Sequence, residues 1–435
     1  MRCIRLFVNV VSCIVMLSCG TDKKEFQNVI NDKKDSTYLA NTFPIEKKEE
    51  DVVSKKRDIS SYPLFALVKN VKASSFLKSS NLPRFSYHPT NLYDRSLNSA
   101  WFEGVEGDGI GEYFEINFFT PINIYSITLS NGYGKSKSLF QKNGAVKELE
   151  VLTDGYHKPK TLMLQNTLEA QQLELYFENV TTIRFTIRSV YPGTKYQDTG
   201  ISEITLESQL STDLDEGISQ TEFDSLYKYY EVYQHGDYDN PKHDMIHNLS
   251  PYQFNQFLSM AFDEPYSNAD MGDRLHLITE EVLRNSSLIP VFLNIATKKN
   301  KSVFYEYANR DPYVYLTEKI WGNHPSGIPF LRQIMFSRTY EKEFHFLRMG
   351  DTRVVPRYLN LVQYEGIWHE ACCEMMPSEI LTLKGDWYTS LKVHRFLEKY
   401  SEMGKSDDNS QDFSVFAELS KAKDSLYKRY GEYGG

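Results

Sequence analysis

Hydrophobic and polar positions change their rhythm twice along this chain. Between residue 63 and about residue 208 the apolar residues come in short runs broken by Gly, Asn and Pro. Several runs alternate with polar residues, as in Tyr113-Phe114-Glu115-Ile116-Asn117-Phe118, and similar runs occupy 122–129, 146–152, 161–164, 172–177 and 182–187. A period of two puts one face of a strand in a core and the other toward water. About eight such strands in roughly 145 residues predict an antiparallel sandwich or jelly roll. From Thr212 the apolar residues fall three and four apart instead, which predicts helices over 221–230, 250–258, 273–285, 289–297, 302–308, 313–321, 329–338, 356–368 and 388–400. Ser250-Pro251 has the look of a capped start with proline at the first helical position. The expected fold class is therefore multidomain β + α: an antiparallel β-sandwich over 61–210, a mainly α-helical domain over 211–400, and a polar C-terminal segment over 401–435.

The beginning of the chain follows neither rhythm. Arg2 and Arg5 precede an apolar run from Leu6 to Leu17 that is too short to span a bilayer as a stable helix, as in a secretion signal. The run ends in Met16-Leu17-Ser18-Cys19-Gly20, which resembles a bacterial lipoprotein box. The resemblance implies that residues 1–18 are removed, that Cys19 is lipidated, and, with Gly20 after the cysteine, that the protein goes to the outer membrane. Acyl chains contribute about 0.8 kcal/mol per buried methylene, enough to anchor it. Residues 19–60 are rich in Lys, Asp, Glu, Asn, Ser and Thr, with the charge cluster Lys47-Lys48-Glu49-Glu50-Asp51, and read as a disordered tether.

Composition narrows the function classes. The 435 residues suit two or three domains, and the formal net charge of −9 argues against nucleic acid as a partner. Of the five cysteines, Cys3 and Cys13 would leave with the signal and Cys19 would carry lipid. That leaves the adjacent pair Cys372-Cys373, whose bridging would need a strained ring, so no disulfide framework is expected.

The most informative motif is Asn91-Leu92-Tyr93-Asp94-Arg95-Ser96-Leu97-Asn98-Ser99-Ala100-Trp101, answered a hundred residues later by Ile201-Ser202-Glu203-Ile204. Between them lie Gly104-Val105-Glu106-Gly107-Asp108-Gly109-Ile110-Gly111, Asn131-Gly132-Tyr133, Lys142-Asn143-Gly144-Ala145 and Val190-Tyr191-Pro192-Gly193-Thr194-Lys195-Tyr196. In this order the blocks resemble a glycan-binding subgroup of the discoidin-like domains, also called coagulation-factor type C or galactose-binding-like. The resemblance covers about a third of the chain and implies a galactose-binding-like jelly roll that binds sugars or other polar surface ligands. It also implies a structural calcium ion held by Asp94 and Glu203, with Asn98 and Ser99 beside them; Arg95 stands where the family commonly has glycine. Calcium takes six to eight oxygens, which such a loop can offer, while the alternative role for Asp94 and Asn98 is to tighten a turn.

An aromatic residue just after such a loop usually packs in the core, so Trp101 is expected inside. Sugar contacts need an aromatic face and charged or planar donors, and the loops at the end of the sandwich supply them: Arg84, Tyr87, Tyr133, Lys135, Lys142, Tyr191, Lys195 and Tyr196 are the candidates. The glycines from Gly104 to Gly111 lack the Lys-Ser/Thr of a phosphate loop and are read as turns.

The helical half carries weaker signals. His243 and His247 have metal-compatible spacing but follow Pro241 in a Gly/Asp/Asn-rich stretch, so exposed loop histidines are expected. His369, Glu370, Cys372, Cys373 and Glu374 are residue types of a cysteine nucleophile or metal site, without an orienting partner in the pattern. The expected function is a lipoprotein that binds a glycan or similar polar ligand through the sandwich, with the helices as a scaffold or protein-partner surface. The alternative is a hydrolase whose catalytic helical domain is targeted by the discoidin-like module.

Overall fold

The computed structural model describes residues 62–79, 81–212, 246–263, 278–298, 312–334 and 340–364, with single positions at 221, 225, 392 and 395. All of these belong to one compact unit, Arg57–Gly435. Cys19 with the leader and tether, most of the helices expected at 221–230 and 388–400, the helix expected at 302–308, His243, the cluster 369–374 and the segment 401–435 lie outside the described residues.

Seven strands form the sandwich: β1 (Val68–Ala73), β2 (Trp101–Phe102), β3 (Tyr113–Asn131), β4 (Gly144–Thr153), β5 (Tyr156–Met163), β6 (Gln171–Tyr191) and β7 (Thr199–Leu210). β3 and β6 are single strands where the hydrophobic runs predicted two each, because the interruptions are bends rather than ends. In β3 the ladder to β6 slips between Asn117 and Ile122, around Pro121, which has no N–H to give. In β6 Asn179 takes a positive φ of 53°, and its N–H donates to Asn123 Oδ1 at 3.0 Å. The bends carry both strands from one layer to the other. β1, 113–118 of β3, 182–191 of β6, β4 and β5 make one layer, and 171–180 of β6, 122–131 of β3, β7 and β2 make the second. A further slip between Ile124 and Ser126 moves the inward set from Ile122 and Ile124 to Ile127 and Leu129, since one extra residue reverses the faces of a strand.

A short parallel contact, Gly144 opposite Thr199 and Ala145 opposite Gly200, closes one end of the sandwich. Trp101 is fully buried there, edge-on to Phe114 at 5.1 Å, and its indole N–H donates to the carbonyl of Ser75 at 3.0 Å.

Short helices α1 (Leu64–Leu67) and α2 (Lys137–Lys142) interrupt the sandwich. The second half supplies α3 (Pro251–Asp263), α4 (Ile289–Lys298), α5 (Pro312–Trp321), α6 (Ile328–Gln333), α7 (Tyr340–Arg348) and α8 (Val355–Tyr364). At the start of α3 the Gln253 N–H donates to Ser250 Oγ and the Ser250 N–H to Gln253 Oε1, a reciprocal cap that satisfies two otherwise free donors. α4 is buried at every position from Ile289 to Ala296, so it sits inside the assembly rather than on it.

The apolar core runs across the change from strands to helices at residue 210. One continuous cluster contains Trp101, Phe114 and Phe185 of the sandwich together with Phe254, Phe292, Trp321 and Phe330 of the helices. Trp321 packs on Phe119 of β3 at 5.7 Å and donates its indole N–H to the carbonyl of Val68 at 3.2 Å. The Val71 N–H on the β1 edge donates to Ser326 Oγ at 2.9 Å, so the helical half covers an edge that would otherwise invite another strand.

Candidate functional site

The closed end of the sandwich gathers two groups of predicted residues. The first is an aromatic face. Tyr133 sits on a tight turn that the sequence builds residue by residue. Gly132 takes a φ of 64°, and a side chain there would strike Phe140 at 2.8 Å. The buried Asn131 amide donates to the carbonyl of Val146 at 2.7 Å, while its Oδ1 accepts from the N–H groups of Val146 and Gly132 at 2.9 and 3.0 Å. Ser202 clamps the turn from β7: its hydroxyl donates to the Gly132 carbonyl at 2.9 Å and accepts from the Gly134 N–H at 2.7 Å. These contacts fix both neighbours of Tyr133, whose hydroxyl donates to the carbonyl of Asn98 at 3.4 Å.

Tyr87 comes from another loop, held by Asn91, whose amide donates to the carbonyls of Phe85, Ser86 and Ala100. Tyr87 and Tyr133 both pack edge-on against buried Phe102, at 5.2 and 5.3 Å, and their rings are 6.3 Å apart. Partial burial and the neighbouring Tyr87 push the Tyr133 phenol up to about 12, and burial with Asp198 and Tyr196 nearby raises that of Tyr87. Both are neutral hydroxyls at physiological pH, able to donate and accept.

Tyr196 and Lys195 reach the same face on a loop laid against the end of α2. Their N–H groups donate to the carbonyl of Lys142 at 2.8 and 3.1 Å. Tyr196 is 41% exposed, with the Lys195 ammonium 5.1 Å from its ring. Lys135 is exposed on the adjoining turn and Lys142 at the last position of α2. Two predicted residues stand apart from this face. The Tyr191 hydroxyl donates to the carbonyl of Leu164 at 3.0 Å, and the loop of Arg84 is docked on the helical half, its N–H donating to Thr352 Oγ1 at 2.8 Å.

The second group is the loop 94–99 with Glu203. Arg95 adopts the left-handed φ of 59° that the turn requires, the conformation glycine would take without strain, and its guanidinium lies 4.9 Å from the Phe65 ring. Asp94 Oδ1 accepts from the Ser96 N–H at 3.0 Å, and Oδ2 from the Ser99 hydroxyl at 2.7 Å. Glu203 Oε2 accepts from the same Ser96 N–H at 3.2 Å; burial and the charge of Asp94 push its carboxyl up to about 9. Asn98 is exposed. Arg332 of α6 places Nη1 3.2 Å from Asp94 Oδ2, where a calcium ion would need that oxygen. Among the described residues no three His, Cys, Asp or Glu side chains are disposed to hold a metal. The Asp94 carboxylate therefore already faces a guanidinium, the place the resemblance gave to a metal ion.

Three further residues shape this end without having stood out as site candidates. Glu103 is buried beneath the glycine turn, its Oε1 accepting from the Thr199 N–H and Oε2 from the Val105 N–H. Asp351 and Arg353 sit on the helical side, at the start of the 3-10 turn Thr352–Val354. Asp351 caps it, accepting from the Arg353 N–H at 3.1 Å, but it also binds the guanidiniums of Arg332 and Arg353. His247 is half-buried, its Nδ1 2.8 Å from Glu281 Oε2, rather than exposed in a loop.

Comparison with known families agrees with the topology. The profile of a family described as "NAD glycohydrolase translocation F5/8 type C domain" matches residues 61–207. This segment is a discoidin-like domain. Among solved structures, the module is similar to a family 32 CBM from C. perfringens NanJ in complex with galactose, at 13% identity over 34% of this chain and 98% of that one, TM-score 0.26. It is also similar to a CBM32 module from Clostridium perfringens in complex with GalNAc-β-1,3-galactose, at 14% identity over 34% of this chain and 99% of that one, TM-score 0.26. A third is the F5/8 type C domain of a Bacteroides fragilis protein, at 16% identity over 32% of this chain and 91% of that one, TM-score 0.24. No curated protein matches the chain.

Proposed function

We propose that this protein recognises a glycan through the Tyr87–Tyr133–Tyr196 face of its discoidin-like domain. A module of this family suggests carbohydrate binding. The observation that carries the reading to this face is the clamped pair Tyr87 and Tyr133. They stand half-exposed on a buried Phe102 base, with their loops fixed by Asn91, Asn131 and Ser202. Preorganised aromatic surface stacks on sugar C–H groups at little entropic cost, and Lys135, Lys195 and Asp198 on adjoining loops supply partners for hydroxyls.

The lipoprotein-like leader supports a location on the outer membrane, tethered at Cys19. No described helix is long and apolar enough to cross a membrane. The helical half acts as a scaffold that braces the module, which the shared core and the Asp94–Arg332 pair support. Because the core is shared, the test uses the full chain on a broad glycan array. The parent should retain a sugar class that Tyr133→Ala and Tyr87→Ala lose, with unfolding temperatures close to the parent's. Equal retention by both variants would sink this face as the binding site.

A further inference from the structure

The loop 94–99 brings two carboxylates, Asp94 and Glu203, to one backbone donor, the N–H of Ser96, and such a cluster calls for a cation. The cation that reaches it comes from a residue 238 positions away. Arg332 lies in α6 between core residues Phe330 and Leu331 and the bend at Ile334, so its backbone is set by packing before any ligand arrives. Nη1 is 3.2 Å from Asp94 Oδ2 and Nη2 is 3.0 Å from Asp351 Oδ2. The next residue, Gln333, donates Nε2 to the Asp94 carbonyl at 2.9 Å. Arg353 completes the network, with Nε 2.7 Å from Asp351 Oδ1 and Nη1 donating to Asn91 Oδ1 at 2.5 Å.

We propose that the Arg332 guanidinium is the resident cation of the Asp94–Glu203 loop in this chain, taking the place of a metal ion, so that closure of the loop depends on the helical half and not on calcium. Every oxygen of Asp94 already has a donor: Ser96 N–H on Oδ1, Ser99 hydroxyl and Arg332 on Oδ2, and Gln333 on the carbonyl. Two guanidiniums, Arg332 and Arg353, pair with two carboxylates, Asp94 and Asp351, while Glu203 is held by the Ser96 N–H and makes no ion pair with either guanidinium. A divalent cation at Asp94 would stand against the guanidinium, and like charges at such separations in a poorly solvated site repel strongly.

The test is radioactive-calcium dialysis together with thermal unfolding of the full chain, in millimolar calcium and in chelator. The parent should bind no calcium and unfold at one temperature in both. Arg332→Gln should unfold several degrees lower in chelator and regain part of that loss in calcium, because the freed carboxylates then recruit the ion. Calcium bound by the parent, or a parent unfolding temperature that falls in chelator, would overturn the proposal. So would an Arg332→Gln variant whose loss calcium does not reduce, since Arg332 would then serve packing alone. Should that variant fail to fold, dialysis of the parent decides.

Discussion

His88 makes the stability of this module pH-dependent in a way that can be worked out from its surroundings. The ring is 8% exposed, stacked on Phe85 at 4.2 Å and edge-on to Phe76 at 5.0 Å. Its Nδ1 accepts from the Thr90 N–H at 3.2 Å and caps the 3-10 turn Pro89–Tyr93, which carries Asn91. An acceptor at Nδ1 requires the unprotonated nitrogen, and burial together with the nearby Arg353 guanidinium pushes the imidazole down to about 3, against a smaller opposing pull from Asp351. The unfolded chain, titrating near 6.5, therefore binds the proton first, and stability falls as pH drops from that value toward 3. Each unit costs about 1.4 kcal/mol, so about 3 kcal/mol is lost between pH 6.5 and 4, a sizeable part of the 5–15 kcal/mol typical of a folded domain. Other groups titrate in the same window, including His324, which burial also lowers. The assay is therefore a difference: urea unfolding of the parent and of His88→Asn from pH 7.5 to 4. Asparagine keeps an acceptor for the Thr90 N–H and has no proton to bind. The parent's advantage at pH 7.5 should shrink by about 1.4 kcal/mol per unit below pH 6.5. Parallel curves for the two proteins would refute the reasoning.

Two further substitutions test the junction and the core. Asp351 is fully buried and held down to about 2 by Arg353 and Arg332 against the cost of burial. Asp351→Ala removes the carboxylate shared by two guanidiniums, leaving Arg353 without its ionic partner and Arg332 with Asp94 alone, and should cost about 3–5 kcal/mol in denaturant unfolding at pH 7; a cost under about 1 kcal/mol would contradict the network. Trp101→Phe removes the hydrogen bond to Ser75 and opens a void beside Phe114, an expected loss of about 2–4 kcal/mol with the glycan-binding face otherwise retained.

What could be read from the sequence divides along a physical line. Strands, the identity of the module and the inward Trp101 were legible because each is written locally, in alternation, turn residues or a motif of fixed spacing. The bends at Pro121 and Asn179 were misread as strand ends because a slip in register leaves the same breaker residues behind as a turn does. Ser202 and Asn131 lay inside recognised blocks, yet their work is to clamp Tyr133, and that appears only when β7 and the 131–134 turn are brought side by side. The carboxylate of Asp94 is the sharpest case. Its local motif resembles a metal loop, and nothing within the loop tells a metal ion from a guanidinium as the cation it faces. The distinguishing residue is Arg332, which reads locally as one charge in an amphipathic helix. Its meaning comes from docking: Phe330 and Trp321 bury against the sandwich, and that burial places α6, and hence the guanidinium, over the loop. If the helical half supplies the loop's cation, its sequence is constrained by the module's chemistry as well as by its own core. An isolated 61–207 segment would then expose both the β1 edge covered by Ser326 and an unneutralised Asp94, and should either aggregate or acquire a need for calcium that the full chain lacks.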